Sequence, residues 1–294
     1  MQSWDVARRA KLGPPTPLAE GSELEGAVAF SQDGRLLATR PLFRDTVVWD
    51  VERRRPLDGP IDDSGASTLA FGPDGRTLAW ADLGGDVTVW EVASGKATAT
   101  LPAPPGRPDS HTSLSFTADG RRLAVATDGP EGTIVLWDIA DEPPAEPWIE
   151  GDNDWANPAF SPDGRWLAVD SSGGVELWDV QARRLVTTLA RQSDAVFSPD
   201  SRFLATSVGT SEVAIWRMAD RTPIATLDVG VASEALRFSP DSQLLAASGR
   251  DGVTLQRFDA PWAAGHLCAV VGRDLTRQEW NSYVRGRDYQ PVCS

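Results

Sequence analysis

The segment FSPDGRWLAV, residues 160–169, followed by VELWDV, residues 175–180, contains the pattern that most of this 294-residue chain repeats. Its Asp163-Gly164 pair suits a tight hairpin turn, because glycine adopts positive φ without a steric penalty. The apolar segments RWLAV and VELWDV predict two strands that are buried on both faces. We therefore expect each such sheet to lie between neighbouring sheets.

The same pattern returns at intervals of 37 to 45 residues. Its versions begin at Phe30, Phe71, Phe116, Phe160, Phe197 and Phe238. The second segment has its tryptophan at Trp49, Trp90, Trp137, Trp178 and Trp216 in the first five repeats, and the sixth has Gln256 there. A period of about 40 residues with four strand-sized pieces predicts the blades of an all-β propeller. Ser201 and Ser242 replace the turn glycine, and a left-handed serine would cost about 1 kcal/mol at each position.

These repeats resemble the WD40-repeat family, over nearly all of the chain from Trp4 to Phe258. The resemblance implies a WD40-type β-propeller over residues 1–259, with six repeats and a partial N-terminal half-blade. A short helical and extended tail would cover residues 260–294. Many WD40 repeats carry a Gly-His pair before the first strand, and no repeat here has one. We therefore expect the buried Asp-His-Ser-Trp network of the family to be absent and apolar contacts to replace it.

The N-terminal segment leaves the number of blades open. MQSWDVARRAKLGPP, residues 1–15, matches TVVWDVERRRPLDGP, residues 46–60, which supply the third and fourth strands of a repeat. One hypothesis is a seven-bladed propeller in which Met1 is an internal or misassigned start. The alternative is a six-bladed propeller closed by residues 8–18 as the outer strand of the last blade. Residues 1–18 are thus a partial blade or a closing strand.

The tail is predicted to contain two helices. WAAGHLCAVVG, residues 262–272, favours a short helix, and TRQE, residues 276–279, is a capping box that starts a second one. The stretch 272–293 resembles the tail that closes the WD40 region of actinobacterial STAND-type signal-transduction ATPases. This resemblance implies a longer regulator with an upstream ATPase region. It also implies a disulfide between Cys268 and Cys293, worth about 3 to 4 kcal/mol, whereas reduced thiols are the alternative in the cytosol.

Charge and hydropathy limit the partners and the location. The formal net charge is -14, which argues against nucleic acid and anionic membranes, since phosphates are bound by clustered Lys and Arg. A basic or neutral protein or peptide is the expected partner. The sequence has no signal-peptide pattern and no 18-residue apolar run, which predicts a cytoplasmic protein without membrane insertion. An upstream membrane span in a longer native chain would instead place the propeller outside the cytoplasm.

No catalytic residue, cofactor or metal site is predicted. The two histidines, His111 and His266, have neither metal-ligand spacing nor a neighbouring nucleophile motif. GDNDW, residues 151–155, has the alternating acidic residues of a calcium loop but lacks its glycine and its distal glutamate. We therefore predict a protein that is not an enzyme.

Acidic residues gather in two sets of loops. In an antiparallel four-stranded sheet, the loop that enters the first strand and the loop between the second and third strands lie at the same edge. Here these loops hold 21 acidic and five basic residues. We name this edge of the sheets the acidic edge and expect it to carry most of the negative charge.

The acidic edge predicts a protein-interaction scaffold or sensor module of a bacterial signalling protein. The candidate partner-binding residues are Asp62, Asp63, Asp82, Asp86, Asp128, Asp152, Asp154 and Trp155. Trp80 and Phe43 are further aromatic anchors if exposed, although Trp80 and Trp155 suit a core position equally well. Two alternatives stay open. The charge serves solubility alone, or the propeller binds or hydrolyses a small molecule in its central channel.

Overall fold

Antiparallel strands make up nearly all the regular structure in the computed structural model of the protein. The structure describes residues 4–5, 10–11, 27–40, 45–57, 61, 68–82, 84–103, 112–127, 133–139, 147–150, 156–230, 235–249, 252–257 and 276–277. Their contacts divide the chain into two compact units, Met1–Ala195 and Val196–Ser294. Within the described residues, no helix is long and apolar enough to cross a membrane.

The described residues of the first unit form one two-stranded sheet and four four-stranded sheets. The two-stranded sheet consists of β1 (Trp4–Asp5) and β2 (Ala10–Lys11). The first sheet of four consists of β3 (Val28–Phe30), β4 (Leu36–Thr39), β5 (Val47–Asp50) and β6 (Arg55–Pro56). The second consists of β7 (Thr68–Phe71), β8 (Thr77–Ala81), β9 (Val87–Glu91) and β10 (Lys96–Leu101).

The third and fourth sheets repeat this arrangement. The third sheet consists of β11 (Thr112–Phe116), β12 (Arg122–Thr127), β13 (Thr133–Asp138) and β14 (Pro147–Glu150). The fourth consists of β15 (Ala156–Phe160), β16 (Trp166–Ser171), β17 (Gly174–Asp179) and β18 (Arg184–Ala190). In each, the strands lie in sequence order and run antiparallel.

The fifth and sixth sheets belong mainly to the second unit. The fifth consists of β19 (Gln192–Phe197), which crosses the boundary between the units, β20 (Phe203–Val208), β21 (Glu212–Arg217) and β22 (Thr222–Asp228). The sixth has three strands in the described residues, β23 (Ala235–Phe238), β24 (Leu244–Gly249) and β25 (Gly252–Arg257). One sequence repeat thus corresponds to one sheet, and the predicted all-β class is confirmed.

A hydroxyl and a carboxylate hold the turn between the first two strands. Ser161 Oγ donates to Asp163 Oδ1 at 2.5 Å and accepts from the backbone N–H of Trp166 at 2.9 Å. The first, third, fifth and sixth sheets contain the same pair of bonds, made by Ser31, Thr117, Ser198 and Ser239. Ser201 and Ser242 keep the left-handed conformation of the glycine they replace, with φ of 58° and 59°.

The second sheet builds this turn differently. Gly72 stands where the other five repeats have the hydroxyl residue. A Cβ at position 72 would collide with Thr77 Oγ1, so the threonine occupies the space that the serine side chain fills elsewhere. The backbone N–H of Gly72 still donates to the carbonyl of Thr77 at 2.9 Å. The glycine at position 72, just after β7, is therefore matched by the threonine at position 77, at the start of β8.

The hydrophobic core lies between consecutive sheets. Val89 of the second sheet and Val125 of the third belong to one buried cluster, and Ile134 and Leu167 join the third sheet to the fourth. In the second unit, a cluster that contains Ile215 joins the fifth sheet to the sixth. Both faces of a central strand are thereby covered, as its continuous apolar sequence predicts.

The tryptophan of the third strand departs from the expectation of purely apolar contacts. Trp49 Nε1 donates to Thr39 Oγ1 at 2.9 Å, and Trp216 Nε1 donates to Thr206 Oγ1 at 3.3 Å. In the fourth sheet, Trp178 Nε1 donates to Glu176 Oε2 at 3.0 Å. The expectation is therefore wrong for the first, fourth and fifth sheets. In the third sheet, Trp137 Nε1 is buried without a hydrogen-bond partner among the described residues. A valine stands there at the position of the threonine.

Several predictions fall outside the described residues. Of the tail, residues 260–294, the structure describes only Thr276 and Arg277. The two helices and the Cys268–Cys293 disulfide therefore stay predictions, as do the domain boundaries. β1 and β2 pair with Trp4 opposite Lys11, in the way that third and fourth strands of a repeat would pair.

Candidate partner-binding edge

Two of the eight predicted partner-binding residues, Asp82 and Asp86, lie in the described part of the chain. Both belong to the loop between β8 and β9, at the acidic edge of the second sheet. The remaining candidates lie outside the described residues, as does the predicted anchor Phe43. They are Asp62, Asp63, Asp128, Asp152, Asp154 and Trp155.

Asp82 organises its own loop. Its Oδ1 accepts hydrogen bonds from the backbone N–H of Gly84 at 2.8 Å and of Asp86 at 3.0 Å. The backbone N–H of Asp82 donates to the carbonyl of Asp86 at 2.9 Å, which closes the loop. Short acidic side chains commonly stabilise turns in this way. The loop therefore has a defined shape before any partner arrives.

Asp86 connects this loop to the end of the fourth strand. Its Oδ1 accepts from the backbone N–H of Ala103 at 2.8 Å, just beyond β10. Gly85 has φ of 86°, and a Cβ there would lie 3.2 Å from the Cβ of Ala103. The close approach of the two segments thus depends on glycine. Asp86 is exposed, so the same carboxylate that fixes the loop also faces solvent.

Trp80 is a core residue. It is 5% exposed and packs in a cluster with Ala38, Val48 and Leu78, between the first and second sheets. The interpretation of Trp80 as an exposed aromatic anchor is therefore wrong. It lies in the middle of β8, where strands buried on both faces have no solvent-facing side.

A partly buried polar cluster lies at the same edge of the fourth sheet. Asp170 Oδ2 accepts from Asn157 Nδ2 at 3.0 Å and from the backbone N–H of Asp194 at 3.1 Å. Asn157 and Asp194 both have left-handed backbone, with φ of 49° and 52°. They occupy equivalent positions, three residues before Phe160 and Phe197. Asn and Asp are the residue types that adopt this conformation most readily after glycine.

Burial raises the pKa of Asp170, and it outweighs the two hydrogen bonds, which lower it. Its Oδ1 is buried without a hydrogen-bond partner among the described residues. The sequence shows one sign of this site, since Asp170 is the only acidic residue at its position in the six repeats. Arg40, Ala81, Ala126, Ser207 and Ser248 stand at the equivalent position of the other repeats.

Carboxylates outnumber cationic side chains along the described acidic edge. In the first unit this edge contains Asp45, Asp82, Asp86, Asp170 and Asp194, against Arg40 and Arg191. In the second unit it contains Glu212 and Asp228, both exposed. Within these described stretches, no group of three His, Cys, Asp or Glu side chains is arranged to hold a metal ion. The exposed carboxylates among them, such as Asp86, give this edge a negative potential.

Comparison with solved structures fixes the fold. One chain of a mitotic checkpoint complex superposes with a TM-score of 0.66 over 84% of this chain and 79% of its own, at 18% identity. Hydrazine synthase of Kuenenia stuttgartiensis gives a TM-score of 0.67 over 87% and 89%, at 16% identity. The model of the WD domain, G-beta repeat family matches residues 222–254. The chain has the all-β, six-bladed propeller fold of WD40 type. Each four-stranded sheet described above is one of its blades.

Curated relatives match this chain over part of their length. A WD repeat-containing protein of Synechocystis sp. is 34% identical over 137 residues, which are 44% of this chain and 38% of the relative. The LST8 homolog of Drosophila melanogaster is 29% identical over 111 residues, 34% of this chain and 36% of the relative. The chain thus spans less than two fifths of the length of these relatives. WD40 propellers are commonly protein-interaction scaffolds and usually non-catalytic.

Proposed function

We propose that this WD40 propeller is a non-catalytic scaffold or sensor module of a bacterial signalling protein, and that it captures a basic partner through the acidic edge. The observation that carries the proposal is the gathering of carboxylates in the loops of one edge. A protein or peptide rich in Lys and Arg complements such an edge, whereas nucleic acid and anionic membranes do not.

The described loop between β8 and β9 supports a partner site that is shaped in advance. Asp82 and Asp86 are held by backbone N–H groups from their own loop and from the segment after β10. A loop that is already ordered loses little conformational freedom when a partner binds, so more of the contact energy appears as affinity. Exposed carboxylates also accelerate the encounter with a basic partner, and added salt weakens that effect.

The signalling context rests on the tail. Its resemblance to the tail of STAND-type ATPases is the support for a propeller that lies downstream of an ATPase region in a longer chain. The same proposal puts the protein in the cytoplasm, unless the native chain has an upstream membrane span. An immunoblot of the source organism with an antibody against residues 272–293 measures the native length. A band near 31.6 kDa would contradict the longer chain, and a much larger band supports it.

The acidic edge is tested with a fluorescently labelled oligolysine peptide. We expect the wild-type protein to bind it in fluorescence anisotropy, with an affinity that falls as sodium chloride is added. Asp152→Lys combined with Asp154→Lys should weaken binding about ten-fold or more, since two attractive charges become repulsive. An uncharged oligoglutamine peptide should not bind.

The matched control places the same charge change at the opposite edge. Glu52 and Glu91 are exposed; Glu52 lies in the turn after the third strand of its blade, and Glu91 is the last residue of the third strand, next to the corresponding turn. Glu52→Lys combined with Glu91→Lys alters the net charge by the same amount as the Asp152 and Asp154 pair. Equal weakening by both pairs would mean that overall charge attracts the peptide, and the acidic edge would then have no special role.

A further inference from the structure

A cavity of about 300 Å³ lies within the first unit, at the edge opposite to the acidic edge. It is formed where the first strands of four blades end and their turns begin. Phe30, Phe71, Phe116 and Phe160 all line it, and Leu114 and Ser115 complete its wall on β11. Cavities of this size are at the small end of those that hold small-molecule ligands.

The repeat itself brings the four rings together. Each phenylalanine is the last residue of the first strand in its blade, at the ends of β3, β7, β11 and β15. Phe116 is part of the core cluster between the second and third sheets, and Phe71 and Phe160 pack against neighbouring clusters. These three rings are therefore held in place by the core. Phe30 differs, since it is 59% exposed.

Among the described residues that line the cavity, none has a charged side chain. Two of its hydroxyl groups are already engaged, because Thr117 Oγ1 donates to Asp119 at 2.6 Å and Ser161 Oγ donates to Asp163 at 2.5 Å. The amide of Gln32 and the hydroxyl of Ser115 are further polar groups of the wall. A charged ligand would find no counter-ion among these side chains.

We propose that this cavity binds a neutral aromatic ligand that carries one hydrogen-bonding group. Aromatic rings pack against phenylalanine edges and faces with a gain beyond the buried area, and the polar wall orients the hydrogen-bonding group. The site uses none of the acidic-edge residues, so it is independent of the proposed capture of a basic partner. It gives the propeller a second, small-molecule specificity.

The probe is N-phenyl-1-naphthylamine, a neutral aromatic amine whose fluorescence increases in apolar surroundings. We expect saturable binding of one molecule per chain. Its sulfonated counterpart, 1-anilinonaphthalene-8-sulfonate, has the same aromatic body with a negative charge. It should bind at least about ten-fold more weakly, because the cavity offers no counter-charge.

Phe30 provides a variant that leaves the core intact. Phe30→Ala should weaken binding of the neutral probe about three- to ten-fold, the loss expected when one aromatic contact is removed. Val28→Ala is the matched control, since Val28 lies on the same strand, is 51% exposed and does not line the cavity. Ala118→Trp, at an exposed position of the wall, should block entry.

The outcomes separate the two proposals. Asp152→Lys with Asp154→Lys should leave probe binding unchanged, even where it abolishes binding of the oligolysine peptide. The cavity proposal is overturned by the absence of saturable binding, by equal affinity for the neutral and sulfonated probes, or by equal effects of Phe30→Ala and Val28→Ala. Circular dichroism of each variant establishes that it is folded as the wild type is.

Discussion

The fifth and sixth blades place the same side chain in two different environments. Val213 begins the apolar run VAIWRM on β21, and Val253 begins the matching run VTLQRF on β25. Val213 is 0% exposed and belongs to the cluster that joins the two blades, whereas Val253 is 66% exposed. β21 is covered by β22, and β25 has no fourth strand beside it in the described residues. The sequence of a strand alone therefore does not determine whether its side chains are buried. Burial also requires neighbouring strands that pack against them.

The largest difference is expected from a charge at this position. Val213→Asp places an unpaired carboxylate in the core and should lower the free energy of unfolding by more than about 4 kcal/mol. Val253→Asp should change it by about 0.5 kcal/mol or less, because the side chain already meets water. Urea denaturation followed by tryptophan fluorescence measures both. Similar losses would show that another segment covers Val253 in solution.

Two glycines at the start of a third strand allow the same comparison between a blade with a fourth strand and one without a fourth strand in the described residues. Gly174 on β17 and Gly252 on β25 both have positive φ, of 126° and 144°. A Cβ on Gly174 would collide with the carbonyl of Leu189 on the fourth strand, whereas none of the described atoms lies within 4 Å of a Cβ on Gly252. Gly174→Ala should cost about 3 kcal/mol and Gly252→Ala about 1 kcal/mol, the strain alone. Equal costs in thermal denaturation would contradict a role for the fourth strand.

A smaller effect is expected when a hydrogen bond in the core is removed while the strands around it stay in place. Thr206→Val removes the acceptor of the Trp216 indole and should cost about 1 to 2 kcal/mol, while Thr206→Ser should retain most of the stability.

In the third blade, a hydrogen-bond acceptor can be added instead of removed. Val125→Thr brings an acceptor to the buried Trp137 Nε1 and should stabilise the protein by about 1 kcal/mol. A loss of stability in Val125→Thr would mean that the indole already has a partner.

The smallest effect depends on pH. The fourth blade has Asp170 where the sixth has Ser248, and burial raises the pKa of that carboxyl above 3.8. Because the folded state favours the protonated form, Asp170 destabilises the fold at neutral pH and does so less as pH falls through its folded pKa. Asp170→Asn should therefore stabilise the protein at pH 7, with a gain that shrinks towards pH 4. A gain that does not vary with pH would contradict this origin.

Asp119 should titrate in the opposite sense. Hydrogen bonds from the Thr117 hydroxyl and from the backbone N–H of Arg121 hold its pKa below 3.8. Its stabilising contribution is present above its ordinary pKa and is lost as pH falls through the lower folded pKa. Asp170 and Asp119 therefore change the free energy of unfolding in separate pH ranges. Thr117→Val is the control, since it should alter only the lower range, in which Asp119 titrates.

The sequence predicted the blades because their pattern is local. The spacing of the FSPDG-type turns and the tryptophan segments places the first three strands of every repeat, and the left-handed Ser201 and Ser242 follow from alignment with glycine. What it did not predict depends on cross-strand register. The Trp49–Thr39 and Trp216–Thr206 bonds join neighbouring strands across a separation of ten residues. Only their pairing shows that the hydroxyl faces the indole.

The candidate edge was less accessible to prediction. Counting carboxylates per loop identified the acidic edge, but it treated all of them as equally exposed. Asp86 also ties its loop to Ala103, and Asp170 is half-buried and accepts hydrogen bonds from Asn157 and Asp194. Trp80 likewise joins the core instead of the surface. Burial of a single loop residue depends on the neighbouring blade, which no one repeat specifies.

The exchange of serine for glycine at position 72 limits how these blades could be redesigned. A consensus repeat would write serine at that position, because five of the six blades have a hydroxyl residue there. Thr77 already fills the space, so a consensus substitution at Gly72 alone would overpack the turn. Positions 72 and 77 therefore have to be substituted together. Blade variants made by changing one position at a time would miss a combination of residues that is stable only when both are changed.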